Sequence, residues 1–156
     1  MKISDILEEK FIVVNLSGTT KNDIINALVE TASQSPKVLD KEKVRTAVFE
    51  REKIMSTGVG NGFAIPHGKT ESVSDVVAAF GITAHPIDYQ SLDEKPVRLI
   101  FLLIGKDSMV GPHIKLLSRI SRLMNKEDFR NRLIQAKSQH EVFEMFRQEE
   151  ASYFEM

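Results

Sequence analysis

One histidine in this chain stands where chemistry is easy to do. His67 closes the run Thr57-Gly58-Val59-Gly60-Asn61-Gly62-Phe63-Ala64-Ile65-Pro66-His67-Gly68-Lys69. Three alternating glycines leave backbone without side-chain cover. A short apolar strand follows, and proline, histidine and glycine end it. The pattern presents one imidazole at a strand end, beside backbone that an anion can approach. An imidazole serves as a proton shuttle, a metal ligand or a nucleophile. Two further polar residues sit where apolar ones belong. Arg51 is the next position on the helical stripe Val44, Ala47, Val48, and His113 begins the stripe Leu117, Ile120, Met124. If these two helix ends and the strand end meet at one sheet edge, a guanidinium and two imidazoles surround the glycine run. The amides of Gly60, Asn61 and Gly62 then add donors. Such a cluster suits an oxyanion, phosphate first of all. Pro112 has no N–H, but those of His113 and Ile114 read as free at a helix start, whose dipole also favours a neutral His113.

Each residue has a plain reading as well. A lone histidine near a core is usually structural, and a first-turn histidine is often solvated. A surface arginine usually pairs with a carboxylate, and a glycine run is often only a turn. The combination is what points to function. Competing chemistries fit less well. Gly58-Val59-Gly60-Asn61-Gly62 has the wrong spacing for a dinucleotide fingerprint and leads into a strand, not a helix. The sequence holds no GxxxxGK[ST] loop and no serine in a nucleophile-elbow context. His67, His85, His113 and His140 form no His-x-x-x-His pair, so neither a metal nor a cofactor is expected. His85, before Pro86, and His140, in a capping box, read as surface residues.

The elements that must position these residues are legible. Phe11 to Asn15 reads as a strand. Thr20 and Asp23 open a helix with the stripe Ile24, Ala27, Leu28, Thr31, which Ser35-Pro36 breaks. Asp40 caps the helix that ends at Arg51. Phe63 to Ile65 and Val76 to Thr83 read as strands. Val97 to Gly105 is almost continuously apolar, as a central strand covered on both faces must be. Gly111-Pro112 opens the next helix, with proline at its first position. A helix from about Glu127 to Ala136, capped by Asn125, and a last helix starting at Ser138–Glu141 complete the chain, with residues 149–156 expected to fray. The order β-α-α-β-β-β-α-α-α implies an α/β fold, a three-layer α/β/α sandwich around a mixed sheet, in one domain.

Composition narrows the function. A net charge of −1 argues against nucleic acid as a partner. The absence of cysteine excludes disulfides, zinc–thiolate sites and thiol catalysis. No apolar run approaches the roughly 20 residues of a membrane span. Met1 to Asp5 soon turns acidic, which does not read as a signal peptide. A cytoplasmic protein without direct membrane insertion is expected.

The motif residues then carry a resemblance. Arg51-Glu52-Lys53, Ser56-Thr57-Gly58-Val59-Gly60-Asn61-Gly62 and Ala64-Ile65-Pro66-His67-Gly68-Lys69, with Pro112-His113-Ile114-Lys115-Leu116-Leu117, resemble the fructose/mannitol (type 2) IIA domains of the bacterial phosphotransferase system, among them the nitrogen-regulatory IIA proteins. The likeness extends over about residues 4 to 147. It implies that His67 accepts a phosphoryl group on Nε2 from the phosphohistidine of HPr or an HPr-like donor. It also implies that His113 and Arg51 assist. The phosphate then goes to a separate IIB protein for sugar uptake, or the two states act as a regulatory switch on protein targets. From the residues alone, a non-covalent anion-binding or interaction module stays open. Phe63 and Met109 are candidates for a donor-docking surface, although packing is the commoner role for such residues.

Overall fold

The computed structural model describes residues 1–58 and 60–154. A short helix α1 (Ile3–Ile6) and a 3-10 turn (Glu9–Phe11) precede β1 (Ile12–Leu16). Helices α2 (Lys21–Ala32) and α3 (Lys41–Ile54) come next, then β2 (Phe63–Ala64), β3 (His67–Lys69), β4 (Val77–Ile87) and β5 (Val97–Gly105). Helices α4 (Val110–Met124), α5 (Glu127–Ile134) and α6 (Gln139–Phe154) close the chain. The sheet is mixed. β1 pairs parallel with β4, β4 antiparallel with β5, and β5 parallel with both β2 and β3.

β5 explains the three layers. Leu99, Phe101 and Leu103 enter one core with Ile3, Leu116, Ile120, Phe129 and Phe146. Ile100, Leu102 and Ile104 enter the other, with Ile24, Leu28, Val44 and Val48. Alternation along one strand therefore feeds both faces, and α1, α4, α5 and α6 cover one while α2 and α3 cover the other.

The helix starts obey local chemistry. Thr20 Oγ1 accepts from Asp23 N at 3.1 Å while Asp23 accepts from Thr20 N, a reciprocal box. Asp40 Oδ1 accepts from the amides of Glu42 and Lys43. Ser138 Oγ accepts from Glu141 N.

Several boundaries differ from expectation, and β4 runs on to Ile87, past the expected end at Thr83 and through His85 and Pro86. The strand expected to stop at Ile65 resumes after Pro66, as β3. Phe63 pairs with Leu99 and His67 with Leu103, so β2 and β3 are one interrupted edge strand in constant register. Pro66 has no N–H to give to β5, which interrupts the ladder there, but its carbonyl still accepts from Leu103 N and the register holds on both sides. Helix α4 starts two residues early, which puts Pro112 at its third position, still inside the turn that lacks acceptors. Asn125 ends α4 and does not cap α5. The tail expected to fray is helical through Phe154, because the buried Glu150 carboxylate accepts from Ile3 N and Ser4 N and meets Arg119. Residues 155–156 of that expected tail lie outside the described residues.

Candidate functional site

Three elements converge at the C-terminal end of β5. β3 pairs along it, carrying His67 opposite Leu103 and Lys69 opposite Gly105. Helix α3 crosses β3 closely. A Cβ on Gly68 would stand 3.0 Å from the Ala47 backbone, so any larger residue would crowd the helix at this approach. Arg51 lies one turn beyond that crossing, near enough for its charge to act on His67. The start of α4 supplies His113, whose Nδ1 would be 2.6 Å from a Cβ on Gly105. The glycine at the end of the central strand is the seat of the second imidazole. The two rings lie with centroids 5.6 Å apart, tilted by 53°.

His67 is half-buried, and its Nδ1 lies 2.8 Å from the Ile65 carbonyl oxygen. A carbonyl only accepts, so Nδ1 carries the proton and Nε2 keeps its lone pair. Burial lowers the His67 pKa first of all; the Ile65 bond and the Glu52 charge work against this, and the positive charges of Arg51 and then Lys69 add to the lowering. At neutral pH the ring is therefore neutral, with Nε2 unprotonated.

His113 is buried, and neither ring nitrogen has a hydrogen-bond partner among the described residues. Its pKa is pushed down to about 4, chiefly by burial, then by His67 and Lys69. Buried polar atoms without partners are uncommon and costly. This ring thus holds one N–H to give and no acceptor for it among the described residues. Burial heads the causes of its neutrality, a place the sequence reading gave to the helix dipole. A second expectation fails as well: the His113 N–H is not free but donates to the Met109 carbonyl at 3.1 Å. By position, the first-turn amides without intrahelical acceptors are those of Val110 and Gly111.

Arg51 is partly exposed, and its Nη1 donates to the Met55 carbonyl at 2.8 Å. Among the described residues it forms no ion pair with a carboxylate, so most of its five N–H donors are uncommitted. Lys69, two residues after His67 on the same side of β3, is a further cation that the motif contained but that sequence reasoning gave no role.

Gly60, Asn61 and Gly62 are not brought to this cluster. They precede Phe63, which pairs with Leu99, at the opposite end of β5 from Leu103. Four residues of strand separate those positions by about 13 Å. The Asn61 amide is already taken, donating to Asp93 Oδ2 at 3.0 Å. The run is a tight turn with positive φ at all three residues; it is no phosphate cradle for His67. Val59 lies outside the described residues. Phe63 is buried in the core, while Met109 is exposed. His85 and His140 are exposed, as expected. No group of three or more potential metal ligands occurs among the described residues.

The family model described as "Phosphoenolpyruvate-dependent sugar phosphotransferase system, EIIA 2" matches residues 5–149. The chain belongs to this family. The PTS system fructose-specific EIIABC component of Bacillus subtilis is 34% identical over 148 residues, 95% of this chain but 23% of that protein's length. A nitrogen regulatory protein of Bradyrhizobium diazoefficiens is 35% identical over 137 residues, 85% of this chain and 86% of the relative. The crystal structure of nitrogen regulatory protein IIA-Ntr from Neisseria meningitidis superposes with a TM-score of 0.86 at 31% identity, covering 92% of this chain and 98% of that one. The EIIA 2 chain thus has both sugar-specific and nitrogen-regulatory relatives.

Proposed function

We propose that this EIIA 2 protein is a histidine phosphocarrier, with His67 as the phosphoryl acceptor. The observation that carries the reading is the pair of imidazoles. One has its tautomer fixed so that Nε2 is a free nucleophile, and the other is a buried N–H donor with no partner, 5.6 Å away. In the transfer, His67 Nε2 forms an N–P bond as the donor's own phosphohistidine N–P bond breaks. The Nδ1 proton stays on its nitrogen, hydrogen-bonded to the Ile65 carbonyl throughout. Phosphoryl transfer asks a protein mainly for alignment and charge compensation. His113 would donate to one phosphoryl oxygen, and Arg51 and Lys69 would offset the negative charge. The amides of Val110 and Gly111 are the backbone donors nearest this role.

The donor on this reading is HPr or an HPr-like phosphocarrier. Support comes from the exposed apolar residues flanking the cluster in sequence: Ile54 and Met55 after Arg51, and Met109, Val110 and Ile114 around His113. A shallow apolar rim suits a transient protein partner. The phosphate passes to a separate IIB protein, or the two states bind regulatory targets as a nitrogen-regulatory switch; the likeness to nitrogen regulatory proteins favours keeping the second. Either role belongs in the cytoplasm with such a donor. The test incubates the protein with phosphoenolpyruvate, enzyme I and HPr, with intact mass as readout. Gain of one acid-labile phosphoryl group, absent in His67→Gln, is the expected result. No gain with an active donor leaves a non-covalent anion-binding module or a family member with a different donor.

A further inference from the structure

Glu52 is a carboxylate that the site does not yet use, and it is buried, at 8% exposure. Its neighbour Arg51 serves the phosphoryl side, whereas Glu52 turns inward and holds the loop after α3. Glu52 Oε1 accepts from Thr57 N at 2.9 Å, and Oε2 accepts from Thr57 Oγ1 at 2.6 Å. Lys21 Nζ, at the first position of α2, lies 2.8 Å from Oε1 and supplies the opposite charge. Thr57 Oγ1 also lies 3.0 Å from the Tyr89 hydroxyl. Thr57 has one hydroxyl proton and spends it on the carboxylate, so Tyr89 is the donor to Thr57. Burial raises the Tyr89 pKa, which keeps that phenol protonated.

The network does not end at Thr57. Its carbonyl accepts from Ile65 N at 3.2 Å, and the Ile65 carbonyl in turn accepts from His67 Nδ1 at 2.8 Å. Ile65 and Pro66 are where the edge strand is interrupted, so the sheet ladder alone does not hold Ile65 in place. We propose that Glu52 is a positioning residue for His67. Through Thr57 it clamps the Ile65 peptide, and that peptide fixes the tautomer and direction of the acceptor imidazole. The proposal rests on His67 being the phosphoryl acceptor. It adds that the carboxylate beside Arg51 acts from behind the ring and never touches phosphate. Fully hydrogen-bonded buried networks of this kind hold a single geometry, and small misplacements of a reacting group are expensive in rate.

The test uses Glu52→Gln, Thr57→Val and Thr57→Ser in the full chain. Phosphorylation by phospho-HPr is measured as separate kcat and KM, and 15N spectra of the His67 ring are recorded without phosphate. Glu52→Gln and Thr57→Val are expected to lower kcat about tenfold or more while KM stays within about twofold, and to mix the two ring tautomers. Thr57→Ser, which restores the hydroxyl, is expected to match the wild type in both readouts. Wild-type kcat and ring spectra in Glu52→Gln would overturn the proposal, and so would equal behaviour of Thr57→Val and Thr57→Ser. Should Glu52→Gln fail to fold, the Thr57 pair decides alone. If the wild type takes no phosphate, the phosphocarrier reading has failed, and the ring spectra still judge the clamp.

Discussion

The two unpartnered nitrogens of His113 make a prediction that opposes stability to function. Replacing this ring by an apolar side chain of similar size, in His113→Leu, removes two buried polar atoms that no described residue satisfies. Leaving such a group unpaired costs about 1–3 kcal/mol, so the variant is expected to be more stable at pH 7.5 by an amount in that range. The margin then depends on pH with a definite sign. The folded-state pKa is about 4, against about 6.5 for an unperturbed histidine. Between those values the unfolded chain binds a proton here that the folded chain refuses. Wild-type stability therefore falls as pH falls through this window. At about 1.36 kcal/mol for each pH unit, the full loss below pH 4 comes to about 3 kcal/mol, and about 2 kcal/mol of it is present by pH 5. His67 and the carboxylates also titrate, but they are common to both proteins.

The assay is urea unfolding of wild type and His113→Leu at pH 7.5, 6 and 5. The expected result is a variant more stable throughout, with a margin that widens by about 2 kcal/mol on acidification to pH 5. The same variant is expected to accept phosphate from phospho-HPr at least about tenfold more slowly, since one donor to the developing charge is gone. A margin that does not change with pH, or a His113 ring that titrates near its ordinary value by NMR, would refute the burial argument. Wild-type phosphorylation of the variant would refute the donor role.

The same geometry sets other expectations. Arg51→Lys keeps the charge but loses the guanidinium fork, which bonds the Met55 carbonyl through one nitrogen and leaves other donors uncommitted, so kcat/KM for phosphorylation is expected to drop by about tenfold or more with little change in urea midpoint. Glu150→Ala removes the acceptor of Ile3 N and Ser4 N and leaves Arg119 without its partner. It is expected to destabilise the protein by about 2–4 kcal/mol and to raise hydrogen exchange over Ile3–Ile6 before the sheet opens, with little effect on phosphorylation per folded molecule.

How much of the site the sequence revealed depended on the signal that carried each residue. Arg51 and His113 were found as polar residues on otherwise apolar helical stripes, a signal that survives without knowledge of tertiary contacts. The caps at Thr20, Asp40 and Ser138 and the unbroken apolar run of β5 were equally local, and they fixed the layers. β3 was hidden because proline reads as a stop, and only the pairing with β5 on both sides of Pro66 shows otherwise. Glu52 was hidden because a buried carboxylate is legible only through its partners, and Lys21, Thr57 and Tyr89 come from three other segments. The glycine run misled for a reason of geometry. An extended chain carries residues apart at about 3.3 Å each, so Gly60 to Gly62, close to His67 in sequence, end at the far end of β5. His113 is distant in sequence but comes directly after the strand that β3 pairs with, in parallel register. Parallel pairing brings the C-terminal ends of both strands to one edge. The segment after β5 is thereby delivered to His67, and the segment before β2 is carried away. On the proposed reading, phosphate at this edge would draw its donors from the start of α4 and the end of α3, not from the glycines that make the motif conspicuous.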